Sequence, residues 1–138
     1  MRGEVLSLEA ALGVYRQSLE IAGRGRGASC PVQVARALVY IHGHLFDPGL
    51  NAEAVRSGCG VRNHNLTTQF HRTVGVPLRT YIERLRLEVA AQLLHSLPTS
   101  AFWIAAAVGY ESYETFCRAF RRRYRASPRE FRSQEPAR

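Results

Sequence analysis

The chain has 138 residues, 19 basic against 11 acidic side chains, a formal charge of +8 and a pI near 10.2. That length holds one compact domain or two very small ones, and that charge suits a polyanionic partner. Three scattered cysteines (Cys30, Cys59, Cys117), a single aspartate (Asp47) and the lack of a long apolar run argue against a zinc site, a disulfide scaffold, a two-metal phosphoryl-transfer centre and a membrane span.

In chain order, residues 4–22 are predicted to be helical, with Val5, Leu8, Leu12, Tyr15 and Leu19 forming a narrow apolar seam. The run Gly23-Arg24-Gly25-Arg26-Gly27 breaks that helix and reads as a linker. Pro31 opens a second helix whose Val34, Leu38, Ile41 and Leu45 share a face, and Asp47-Pro48-Gly49 turns the chain. Asn51 is the expected N-cap of a short helix to about Ser57. The tight turn Gly58-Cys59-Gly60 leads into a helix from about Asn63 to Thr73, with Gly75 as its left-handed cap. Pro77 starts a long helix to about Ser96 with Leu78, Ile82, Leu85, Val89 and Leu93 inward. Ser100–Val108 and Ser112–Tyr124 are the next helices, and Ser127-Pro128-Arg129-Glu130 has the capping-box pattern of a last one. No stretch alternates like a strand, so the expected fold is all-α.

A weak internal repeat organises these elements. A short helix, a glycine turn and a helix carrying Leu66 and Phe70 are followed by the helix at Pro77. The same order returns with Phe116 and Phe120 before Pro128. This predicts two helix-turn-helix units joined by a long helix: residues 1–28 as N-terminal helix and linker, 29–76 as the first unit, 77–97 as the joining helix, 98–132 as the second unit and 133–138 as a tail. Seven arginines fall within residues 118–132 against Glu130 alone, and the chain has no lysine. A genomic preference for arginine codons would also explain the latter. A basic run beside a helix-turn-helix still points to nucleic acid, because guanidinium forks suit phosphates and guanine edges.

The second unit reads Ile104-Ala105, Gly109-Tyr110, Phe116-Cys117-Arg118-Ala119-Phe120, Ser127-Pro128 and Phe131-Arg132. With these residues the chain resembles the C-terminal DNA-binding domain of the AraC/XylS family of bacterial transcription regulators, whose second motif runs roughly I-A-x-x-x-G-F, F-x-R-x-F and S/T-P-x-x-[FY]-R. Tyr81 to Glu88 and Ala91-Gln92-Leu93-Leu94 look like that family's linker helix, and the likeness covers about residues 31–132. The resemblance implies a sequence-specific regulator of double-stranded DNA, commonly an activator that recruits RNA polymerase, with two major-groove readers on one chain. Carried over by position, the base-reading candidates are Tyr113, Glu114, Thr115 and Arg118 in the second reader and His64, Thr67 and Thr68 in the first. Arg62, Arg72, Arg121, Arg122, Arg123 and Arg129 are the phosphate candidates. Three departures stand out. Thr68 replaces a frequent arginine, predicting a weaker or more permissive first reader. Arg56 replaces a small residue before the first turn. Arg125 replaces the cap glycine after the second reader.

Individual residues carry alternatives. Arg118 reads as a base contact or a phosphate clamp, Tyr113 as a thymine or phosphate contact or a solvated ring, and Glu114 as a partner for a cytosine amino group or a structural residue. Leu66, Phe70, Phe116 and Phe120 read as core, Cys117 as a packed thiol, and His71 and His95 as surface residues. His42 and His44 point to different sides, so no metal site is expected there, and no cofactor is expected anywhere. Phe102 and Trp103 fall off the apolar pattern; they are either covered by the linker or another helix, or form a docking patch for RNA polymerase or another protein.

Three functional classes follow. The first is the DNA-binding regulator. The second, an enzyme targeted by a helix-turn-helix, lacks a carboxylate cluster and any Ser-His-Asp or Cys-His arrangement. The third is a protein-interaction module of the same fold that has lost specific DNA binding and sequesters a partner regulator. The chain is too short for the ligand-sensing domain that many members of the family carry. The 5–19 seam is expected to pack back on the domain or to support a weak homodimer. The lack of a signal-peptide pattern and the cysteine usage predict a cytoplasmic location without membrane contact.

Overall fold

The computed structural model of the chain describes residues 12–13, 31–60 and 65–134, and all regular structure among these is helical. The helices are α1 (Val32–His44), α2 (Ala52–Gly58), α3 (Leu66–Val74), α4 (Leu78–Ser96), α5 (Ala101–Ala107), α6 (Tyr113–Tyr124) and α7 (Pro128–Ser133). Most of the N-terminal helix expected at 4–22 lies outside the described residues. Leu12 is helical and half-buried, packed against the domain's own core.

Local chemistry sets most of the boundaries. The Asn51 side chain accepts the Ala54 N–H at 2.8 Å and starts α2. Ser100, Ser112 and Ser127 do the same for α5, α6 and α7, accepting from Trp103, Thr115 and Glu130 at 3.4, 3.3 and 3.1 Å. Pro128 occupies the first turn of α7, where its missing N–H costs nothing. Helix α3 stops at Gly75, which is left-handed and returns its N–H to His71 O. The expected start of that helix at Asn63 lies outside the described residues.

Helices α1, α2 and α3 pack as one group, and α5, α6 and α7 as another; α4 packs against α3, α5, α6 and α7. The first group closes on Leu38, Ile41, Leu45, Val55, Leu66 and Phe70, and the second on Ile104, Val108, Phe116 and Phe120, all fully buried. Of the five residues expected inward on α4, Leu85 is only half-buried, whereas Arg86, Leu87, Ala90, Ala91 and Leu94 are buried as well. A helix held between two packed groups needs two apolar faces, so its buried positions do not follow one stripe.

Arg86 lies at the centre of this arrangement. Its Nε donates to Leu45 O at 2.8 Å and its Nη2 to Asp47 O at 2.7 Å, both in the turn after α1. On the other side its guanidinium stands 5.9 Å from the Tyr110 ring. Burial lowers its pKa, opposed by Tyr110 and Asp47. Gly109 is left-handed at φ 107° and faces the same group: a Cβ there would come within 2.9 Å of the guanidinium. Glycine at this turn therefore serves both the backbone conformation and the arginine.

Other residues also differ from their sequence reading. His95 is half-buried, stacks on Phe131 with ring centroids 4.5 Å apart, and donates from Nε2 to Phe131 O at 2.9 Å. It ties α4 to α7 instead of facing solvent. Arg132, the last arginine of the basic run, turns inward and donates to Leu94 O at 2.9 Å, to Leu97 O at 3.1 Å and to Thr99 O. It satisfies carbonyls left open at the end of α4. Arg56 does not loosen the first turn, since a Cβ on Gly58 would lie 2.0 Å from the Tyr40 ring.

Candidate nucleic-acid interface

Helix α6 has two unlike faces. Phe116, Ala119 and Phe120 are buried, and the two phenylalanine rings join Tyr124 and Phe131 in a continuous aromatic cluster with neighbouring centroids 4.6–5.6 Å apart. Tyr113, Glu114, Thr115 and Arg118 are all exposed, as the helical repeat requires of positions not spent on that cluster. Arg118 takes part in none of the ion pairs among the described residues. Tyr113 rises from the first turn. Partial burial, then a hydrogen bond with Cys117, push its pKa up, so it stays a protonated hydroxyl able to donate.

The basic run divides. Arg121 stands 3.6 Å from Glu130, Arg122 3.1 Å from Glu83, and Arg123 2.8 Å from Glu88. The last two reach back to α4, and Arg123 also lies 5.5 Å from the Tyr124 ring centroid. Exposed pairs of this kind contribute at most about 1 kcal/mol, so Arg121 and Arg122 can be traded to a phosphate at little cost. Arg123, more enclosed, is better placed as a brace on α4. Arg129 is exposed on α7. The cap after α6 falls on Arg125, at φ 59° the one non-glycine residue with positive φ among those described. Its N–H closes on Arg121 O at 2.8 Å, so the helix ends as a glycine would end it, in a conformation costing about 1 kcal/mol.

On α3, Thr67 and Thr68 are exposed and share their side with His71 and Arg72. These four border a groove of about 560 Å³ that Arg79, at the start of α4, also lines. His64 and Arg62 lie outside the described residues. The sequence pattern marks His71 only as a surface residue and does not mark Arg79. The signal for His71 is its place four residues after Thr67 and three after Thr68; Arg79 joins them only through the packing of α4 on α3. Phe102 and Trp103 are both exposed, at 55% and 46%. No three His, Cys, Asp or Glu side chains gather among the described residues, and no described helix is long and apolar enough to cross a membrane.

Residues 58–134 match the family described as a helix-turn-helix domain. The chain is 30% identical over 102 residues to the HTH-type transcriptional regulator AlkR of Acinetobacter baylyi, covering 74% of this chain but only 33% of that protein. It is 33% identical over 95 residues to the regulatory protein SoxS of Escherichia coli, covering 69% of this chain and 88% of that one. Among solved structures, the C-terminal domain of AraT, a response regulator from Geobacillus stearothermophilus, superposes with a TM-score of 0.74 at 27% identity, covering 80% of this chain and 92% of that chain.

Proposed function

Because the chain belongs to the AraC/XylS family of helix-turn-helix transcription regulators, we propose that it reads two adjacent major-groove segments of double-stranded DNA, α6 in one and α3 in the other, and acts as an activator in the cytoplasm. The observation that carries this reading is the outer face of α6. Four side chains able to touch bases stand exposed on a helix fixed from behind by buried phenylalanines, with Arg121, Arg122 and Arg129 beside them for the phosphates. Arg118 is assigned to a guanine edge and Tyr113 to a neighbouring base or phosphate. Thr67, Thr68, His71 and Arg72 form a smaller, less charged surface on α3, which fits weaker discrimination there. RNA polymerase is the partner that an activator of this kind would recruit.

Selection of duplexes from a random pool with the purified chain tests the proposal. Enrichment of one asymmetric motif, bound with a steep dependence on salt, is the expected result. Weak binding without enrichment would favour a module of the same fold that sequesters another regulator.

A further inference from the structure

The exposed aromatic side chains among the described residues are Phe102, Trp103 and Tyr113, and the Phe102 ring touches the other two. The Phe102 ring lies 5.6 Å from that of Trp103, edge-on at 85°, and 5.8 Å from that of Tyr113. Tyr113 leans in turn on buried Phe116, with centroids 6.2 Å apart. The patch is thus anchored to the core at one end and open to water at the other. Phe102 and Trp103 sit in the first turn of α5, just after its Ser100 cap, whereas Tyr113 begins α6.

In a helix-turn-helix the first residues of the second helix enter the major groove while the first helix crosses the sugar–phosphate backbone. A ring on α5 that touches the first residue of α6 therefore stands where the groove meets its wall. We propose that Phe102 and Trp103 pack on the deoxyribose wall of the groove that α6 reads, forming an apolar flank of the DNA interface. This rests on the DNA-reading role assigned to α6 above. Continuity with Tyr113 favours DNA over a protein as the occupant, because a protein seated on Phe102 would compete with DNA for the tyrosine ring. The indole N–H of Trp103 adds a donor for a phosphate oxygen. The surrounding arginines hold the duplex by charge, and the two rings hold it by excluding water.

Trp103 is the only tryptophan in the chain, so its fluorescence reports on this position directly. The whole chain is titrated with a duplex of the selected motif, and binding is followed in parallel by gel shift. The expected result is a change in tryptophan emission that saturates with the same Kd. Trp103→Ala and Phe102→Ala should each weaken binding roughly five- to tenfold. The slope of log affinity against log salt should stay unchanged, because no counterion is released by a ring. Arg121→Ala should lower that slope. Silent emission through saturation, with wild-type affinity in Trp103→Ala, overturns the inference; loss of activation by that variant would then assign the patch to a protein. Failure of the wild-type chain to select any duplex overturns the DNA-reading role itself, and the inference with it.

Discussion

Helices α3 and α6 end alike, on a left-handed residue, but the units they belong to are held by different means. The first unit borrows from α4. Tyr81 shares a 2.6 Å hydrogen bond with buried His42 and meets Phe70 edge-on at 5.5 Å, and Arg86 satisfies the carbonyls of Leu45 and Asp47. The second unit lends to α4. Arg122 and Arg123 reach Glu83 and Glu88, the Tyr124 hydroxyl donates to Leu87 O at 3.4 Å, and Arg132 closes the end of the helix. It also carries its own aromatic stack and three serine caps. The same plan thus yields one unit tied to the joining helix through a few specific bonds and another packed against it along all three of its helices.

Breaking the aromatic stack of the second unit should have the largest effect. Phe120→Ala removes the ring shared by Phe116, Tyr124 and Phe131 and should cost about 3–5 kcal/mol, read as a lower urea midpoint. Next comes the first unit. Arg86→Met strands the buried Leu45 carbonyl and removes the bond to Asp47 O, and should cost about 1–3 kcal/mol, with amide exchange rising more in α1 than in α6. At the DNA surface, Arg118→Ala should lose about 1–3 kcal/mol of binding and relax the preference at one base pair, whereas Thr68→Ala should lose under about 1 kcal/mol. Equal losses at the two positions would erase the asymmetry between the readers. The smallest expected effect has the opposite sign: Arg125→Gly relieves the left-handed cap and should raise stability by up to about 1 kcal/mol, measured by thermal melting.

What could be read beforehand follows the range of the interactions. The caps at Asn51, Ser100, Ser112 and Ser127 act within three residues, so their spacing announced the helices they start. The phenylalanines of α6 follow the helical repeat and announced its buried face. Arg86 gave no such notice. It stands in Glu83-Arg84-Leu85-Arg86, where a charged residue on a long helix looks solvated, and Arg84 is indeed exposed. Only the meeting of the turn after α1 with Gly109 and Tyr110 buries one of the two arginines. The basic run divides in the same way: Arg118 and Arg129 face outward, whereas Arg132 turns inward onto backbone carbonyls. Charge counts positive side chains but does not say which carbonyls they will find.

The guanidinium of Arg86 touches the turn after α1 on one side and the turn before α6 on the other, so no slack segment separates the two surfaces. A two-fold dimer recognises a palindrome and is indifferent to which strand runs forward. One rigid chain with two unlike surfaces has no such symmetry. On the proposed reading its operator has a head and a tail, and turning the site around points the bound protein the other way. Each base pair inserted between the two halves also rotates one surface about 35° away from its groove. If the two surfaces read DNA as proposed, the grammar of the operator, its direction and its spacing, is written by an arginine buried between them.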